Sequence, residues 1–174
     1  MENQTQHQII STNWIENLAL EEINMEESGV IQFHDHLDPQ SILEESSVKL
    51  VDQIRERFEI YVEKFNEFRM ATGNGIRIFK ISNTVNDFML FRNSLKLVVA
   101  RKSVDLISIG FLSNSGGLFS ARVNKDTPAA NAAHEVRAHI GPFNKVTWTF
   151  NGERIDVDSM VKHYLGEFIR HSAK

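Results

Sequence analysis

His34-x-His36, followed by Asp38, is the most suggestive metal-ligand pattern in the chain. Residues two apart on an extended strand point to the same side, so two neutral imidazoles and a carboxylate would converge on one ion. The apolar lead-in Val30-Ile31-Gln32-Phe33 suits such a strand. A second run, His134-Glu135-Val136-Arg137-Ala138-His139, has the residue types of the helical zinc-protease motif but spaces its histidines five apart. Five residues rotate a helix about 140° from the first ligand, and an odd spacing on a strand sends the two rings to opposite faces. The run therefore reads as an alternating strand with Val136, Ala138 and Ile140 inward.

The stretch Val30 to Asp38 resembles the first metal motif of amidohydrolases, and His34-x-His36-x-Asp38 resembles that of metallo-β-lactamase-like hydrolases. Either resemblance implies a metal-dependent hydrolase with His34, His36 and Asp38 as ligands. The amidohydrolase barrel needs about 250 residues, against 174 here. Pro39 stands where the second motif continues with histidine. The remaining motifs are thinner. Gly73-Asn74-Gly75 lacks the third glycine of a dinucleotide fingerprint, Gly116-Gly117 precedes no Lys-Ser/Thr pair, and there is no Gly-x-Ser-x-Gly elbow. With no cysteine, thiolate zinc sites, iron–sulfur ligation and thiol nucleophiles are excluded together. The sequence nominates no coherent catalytic set and no cofactor.

Charge is the strongest global signal. Of 23 acidic residues, ten fall in residues 1–48, which contain no Lys or Arg; the rest of the chain sets 13 acids against all 19 bases, a net of +6. The surplus concentrates between Arg69 and Lys102, where Arg77, Lys80, Arg92, Lys96, Arg101 and Lys102 are candidate phosphate contacts. Arg77 and Phe79 share one strand face and Lys80 takes the other, which separates charge from a possible base-stacking surface.

Residues 1–38 read as an acidic arm, expected to be a solvated tail with one apolar cluster (Trp14, Ile15, Leu18, Leu20, Ile23, Met25) at the spacing of a short, weakly amphipathic helix. Residues 39–174 read as a single α+β domain. Asp38-Pro39 is a helix start, and Leu43, Leu50, Ile54, Phe58, Tyr61, Phe65 and Phe68 predict one stripe on a long helix ending at Thr72-Gly73-Asn74-Gly75. Strands are expected at Ile76–Ser82, Leu95–Arg101, Leu106–Ser113, Leu118–Val123 and Glu135–Ile140, with turns at Lys102–Asp105 and Asn114–Gly117. Phe88-Met89-Leu90-Phe91 suits a strand or a helix turn, with the strand preferred.

Asn151-Gly152 predicts a type I′ hairpin pairing Phe150 with Glu153, Trp148 with Ile155 and Val146 with Val157. Asp158 then caps a terminal helix with the stripe Met160, Val161, Tyr164, Leu165, Phe168 and Ile169. Met70 and Met89 are expected in the core, Trp148 and Tyr164 as packed anchors, and His163 and His171 on the solvated side of the last helix. The expected architecture is a long N-terminal helix, an antiparallel meander of about six or seven strands, and a C-terminal helix packed on the sheet.

No apolar run approaches the roughly 18 residues that span a bilayer, and residues 1–8 lack the positive, then apolar, pattern of a secretory signal. A cytoplasmic chain is expected. The functional expectation is a non-catalytic module that binds a protein partner or self-associates, with Trp14 and Leu18 on the acidic arm as contacts. The alternatives are a nucleic-acid binder using the 69–102 segment and a hydrolase using His34 and His36.

Overall fold

The computed structural model describes residues 10–30, 38–113, 118–119 and 133–173. The chain divides into two compact units, Met1–Asp35 and His36–Lys174. His34 and His36 lie outside the described residues, as do the turn at 114–117 and residues 120–123 of the fourth expected strand.

In the first unit, the cluster around Trp14 forms a helix, α1 (Asn13–Ser28), which stops where Gly29 takes φ 67°. A residue without Cβ adopts that left-handed geometry freely. The long helix is therefore not N-terminal: α2 (Pro39–Arg69) comes second. Its start is the expected one. The Asp38 carboxylate accepts from the amides of Gln40 and Ser41 at 3.4 and 3.2 Å, and Pro39 opens the first turn. The buried stripe is Leu50, Val51, Ile54, Phe58 and Val62. Phe68 is exposed rather than part of it, because the stripe's period carries it to position 69 and a neighbouring residue lies about 100° away. A single 3₁₀ turn, Met70–Thr72, ends the element at Gly73, and Met70 is exposed there instead of entering the core.

Eight antiparallel strands follow among the described residues: β1 (Arg77–Lys80), β2 (Phe88–Arg92), β3 (Leu95–Ser103), β4 (Leu106–Ser113), β5 (Leu118–Phe119), β6 (His134–Ile140), β7 (Val146–Phe150) and β8 (Glu153–Arg154). Their order is β1-β2-β3-β4-β6-β7-β8, with β5 paired to β4. β5 pairs with Phe111 and Leu112 while β6 pairs with Leu106 to Ile109, so two short strands share the length of one partner. The ambiguous segment 88–91 is strand β2. Its alternating burial matches the rows Phe88–Val99–Ile109 and Leu90–Leu97–Phe111, which run across three strands on the inner face.

The Asn151-Gly152 turn forms with φ 49° and 84°, and Phe150 pairs with Glu153 as expected. The Ile155 amide still donates to the Trp148 carbonyl at 3.1 Å, but the ladder stops there. Val157 begins α3 (Val157–Ser172) instead of pairing with Val146, because Asp156 caps the helix: its carboxylate accepts from the Ser159 amide at 2.8 Å. Asp158 lies in the first turn and accepts from the Tyr61 hydroxyl, joining α3 to α2. Val136 is buried, whereas Ile140, at the end of β6, is exposed.

Both α2 and α3 cover the inner sheet face, and the core joins their stripes to β2, β3, β4, β6 and β7. Phe58 is fully buried and meets Phe88 edge-on at 6.0 Å. Replacing Phe58 by Ala is expected to cost about 3–5 kcal/mol in a urea unfolding series. Phe68→Ala, seven to eleven residues along the same helix from Tyr61 and Arg57 but on its solvent side, is expected to stay within about 0.5 kcal/mol.

Candidate functional site

The six candidate phosphate contacts separate into three situations. Arg92 points inward and is 4 % exposed. Its guanidinium donates from Nε to the Asn74 carbonyl at 2.9 Å and from Nη1 to the Ile169 carbonyl and Ser172 Oγ at 3.3 Å, and it lies over the Phe65 ring. Burial, and then the charge of Arg69, pulls its pKa down, but a guanidinium keeps its proton regardless. Arg101 also points inward: Nη1 reaches Glu44 Oε1 at 2.7 Å and Ser47 Oγ at 2.9 Å. Lys80 and Lys102 are exposed near strand ends.

Arg77 and Lys96 lie on the outer face. They flank Phe91 in one cross-strand row, Arg77–Phe91–Lys96–Leu112, beside a second row, Phe79–Met89–Val98–Gly110. Phe79 is exposed, and Met89, which the sequence placed in the core, is half-buried here with Phe91 and Val98. The pleat thus brings charge and aromatic rings together across strands, although along β1 alone they are few. Asp38, the third of the metal candidates, is used as the α2 cap. Among the described residues no group of three or more metal-capable side chains forms.

Trp14 and Leu18 are exposed on α1, Trp14 at 67 %, and no residue of that helix is buried. Five carboxylates, Glu16, Glu21, Glu22, Glu26 and Glu27, share the helix with no base.

A polar cluster that sequence reasoning missed lies where α3 crosses β6 and β7. His134 Nδ1 is 2.6 Å from the Tyr164 hydroxyl, and the His134 ring also meets Phe150 edge-on at 5.3 Å. Tyr164 is buried, which raises its phenol well above the ordinary value. Burial, followed by the neighbouring His163, lowers His134. Both shifts favour the neutral forms, and the phenol and Nδ1 share one hydrogen bond whose direction follows the imidazole tautomer. His163 stacks edge-on against Tyr164 at 5.4 Å. Far from being solvated, it has a buried Nε2 with no hydrogen-bond partner among the described residues. The only sequence signal was the inward register of His134, two residues before Val136.

The cluster borders a cavity of about 270 Å³ lined by Val136, Phe150, Ile155, Met160, His163 and Tyr164, with Glu153, Arg154, Asp156 and Ser159 also contributing to its walls. Hydrogen-bonding groups and apolar walls are both present, and burial holds the Tyr164 phenol neutral. No family model, curated protein or solved structure matches this chain.

The lowered His134 value makes a signed prediction. An unfolded imidazole titrates near 6.5, so between the folded value and about 6.5 the unfolded chain binds more protons and stability rises with pH. Urea midpoints are expected to fall as pH drops below about 6.5 and to level off beneath the folded His134 value. His134→Asn, which keeps an acceptor for Tyr164 but does not titrate, is expected to remove that part of the slope. An identical pH dependence in the two proteins would show that His134 is not responsible.

Proposed function

We propose that this chain is a non-catalytic protein-binding module in which α1 is the recognition element and the α+β body is the scaffold. The observation that supports this reading is the exposure of Trp14, Ile15, Leu18, Leu20 and Ile23 on a helix with five carboxylates and no base. A 16-residue helix gains little from its own hydrogen bonds in water, so a partner groove supplies the burial that it lacks. Trp14, Leu18 and Met25 fall within about 40° of one another around the axis, the arrangement of a helix laid in a groove. The partner is a protein whose apolar groove is rimmed by Lys and Arg. In the full chain, Trp14→Ala with Leu18→Ala is expected to weaken such a partner about thirtyfold or more, as for loss of a buried aromatic anchor, without changing the unfolding midpoint. Titration calorimetry across a salt series measures this. A partner that binds both proteins equally does not use α1.

A second reading is favoured by the Arg77–Phe91–Lys96 row on the outer sheet face. It is a nucleic-acid surface on which Phe79 and Phe91 stack bases, Arg77 and Lys96 take phosphates, and the acidic arm competes with phosphate. Here Arg77→Ala with Lys96→Ala lowers affinity for a labelled single-stranded oligonucleotide and reduces the salt slope of binding by about 1.4, the single-strand value for two phosphates. Flat anisotropy traces at low salt would remove this reading and leave the first untouched.

A further inference from the structure

We infer that α1 docks on the outer sheet face of a second copy of this chain. The inference rests on the reading of α1 as the recognition element, and it names the partner and the surface recognised.

The argument begins with the outer face. α2 and α3 both lie on the inner one, and on the outer one Phe79 is exposed while Met89, Phe91 and Val98 are half-buried. Met89 and Phe91 run along β2, with Phe79 and Arg77 beside them on β1 and Val98 and Lys96 on β3. The result is an apolar strip with a base on each side of Phe91. Adjacent strands stand about 4.8 Å apart, which sets the two bases about 10 Å from one another. Neither Arg77 nor Lys96 makes an ion pair among the described residues. A contiguous apolar patch rimmed by charge marks a docking surface, and the sign of its rim calls for an acidic occupant.

α1 carries the complementary pattern. At about 100° per residue, Glu21 stands about 20° to one side of the Trp14–Met25–Leu18 stripe and Glu22 about 40° beyond it on the other. The two carboxylates bracket the stripe as Arg77 and Lys96 bracket Phe91. With the helix laid along β2, Trp14 and Leu18 cover the apolar strip while Glu21 faces one base and Glu22 the other. α1 has no base of its own to repel this face, and none of its residues is buried. Reciprocal docking, each helix on the other copy's sheet, closes a two-fold pair and leaves no open end on which further copies could add.

Sedimentation velocity of the full chain across concentration and salt series tests this. The wild type is expected to form a dimer that weakens as salt rises, and Trp14→Ala with Leu18→Ala to weaken it about thirtyfold. Two charge-reversed proteins, Glu21→Lys with Glu22→Lys and Arg77→Glu with Lys96→Glu, are each expected to dimerise about tenfold more weakly. Mixed in equal amounts, they present opposite charges at both contacts and are expected to regain the wild-type affinity, which shows that both are folded. A helix docked on its own body gives no such restoration. A wild type that stays monomeric overturns the inference, leaving α1 to a foreign protein and the outer face to the nucleic-acid reading. A dimer weakened by Trp14→Ala with Leu18→Ala but not by Arg77→Glu with Lys96→Glu uses α1 on another surface, and it overturns the inference while sparing the recognition role of α1. A dimer that Trp14→Ala with Leu18→Ala leaves intact does not use α1 at all and overturns the inference, as does a mixture that restores nothing.

Discussion

Everything in the α+β body depends on covering one face of the antiparallel sheet. The inner rows Phe88–Val99–Ile109 and Leu90–Leu97–Phe111 are apolar across three strands, and hydrocarbon of that extent must leave water for the strands to stay paired. The stripe of α2 and the apolar side of α3 meet this requirement, and Phe58, Phe88, Phe111 and Phe168 fill the volume between the layers. The helices are held in place by polar contacts at the edges of that core. Asn66 pairs its side-chain amide with both backbone groups of Ile76 at 2.8 and 2.9 Å, as a neighbouring strand would. Tyr61 reaches Asp158, and Trp148 Nε1 donates to Ser46 Oγ at 3.0 Å.

Arg92 shows why charge pattern and charge availability differ. Its guanidinium occupies an inward position at the end of β2, where it donates to the Asn74 and Ile169 carbonyls. It therefore joins the loop after α2 to the last turn of α3. Arg101 does the same at the other end of the sheet through Glu44. The basic segment of the sequence is in part an internal brace; of the six candidates, Arg77 and Lys96 lie on the outer face, and Lys80 and Lys102 are exposed near strand ends. Glu44 and Glu45 similarly belong to α2, where they pair with Arg101 and Lys49. The free acidity of the first 48 residues is correspondingly greatest on α1.

The cavity beneath α3 follows from the same layering. Asp156 caps the helix two residues earlier than the apolar hairpin pattern implies, so Ile155 and Met160 lie on either side of a sharp entry into α3. Phe150 and Val136 of the sheet and His163 and Tyr164 of α3 line the space. His134 and Tyr164 satisfy one another beside it, while His163 Nε2 has no hydrogen-bond partner among the described residues.

Local chemistry was legible in the residues alone. The Asp38-Pro39 cap, the glycine stop at Gly73, the Asn151-Gly152 turn and the alternation of β3 and β4 each rest on interactions within a few residues, so their spacing determined them. The α+β class followed, because helical and alternating periods specify which elements must share a core. What lay beyond that reach was decided by packing. Phe68 and Met70 fell outside the core because of where α2 meets the sheet, and Arg92 fell inside it because three distant carbonyl and hydroxyl groups surround its position. The His134–Tyr164–His163 cluster joins residues some thirty positions apart on a strand and a helix. No periodicity within either element encodes that meeting, since it exists only where α3 crosses β6.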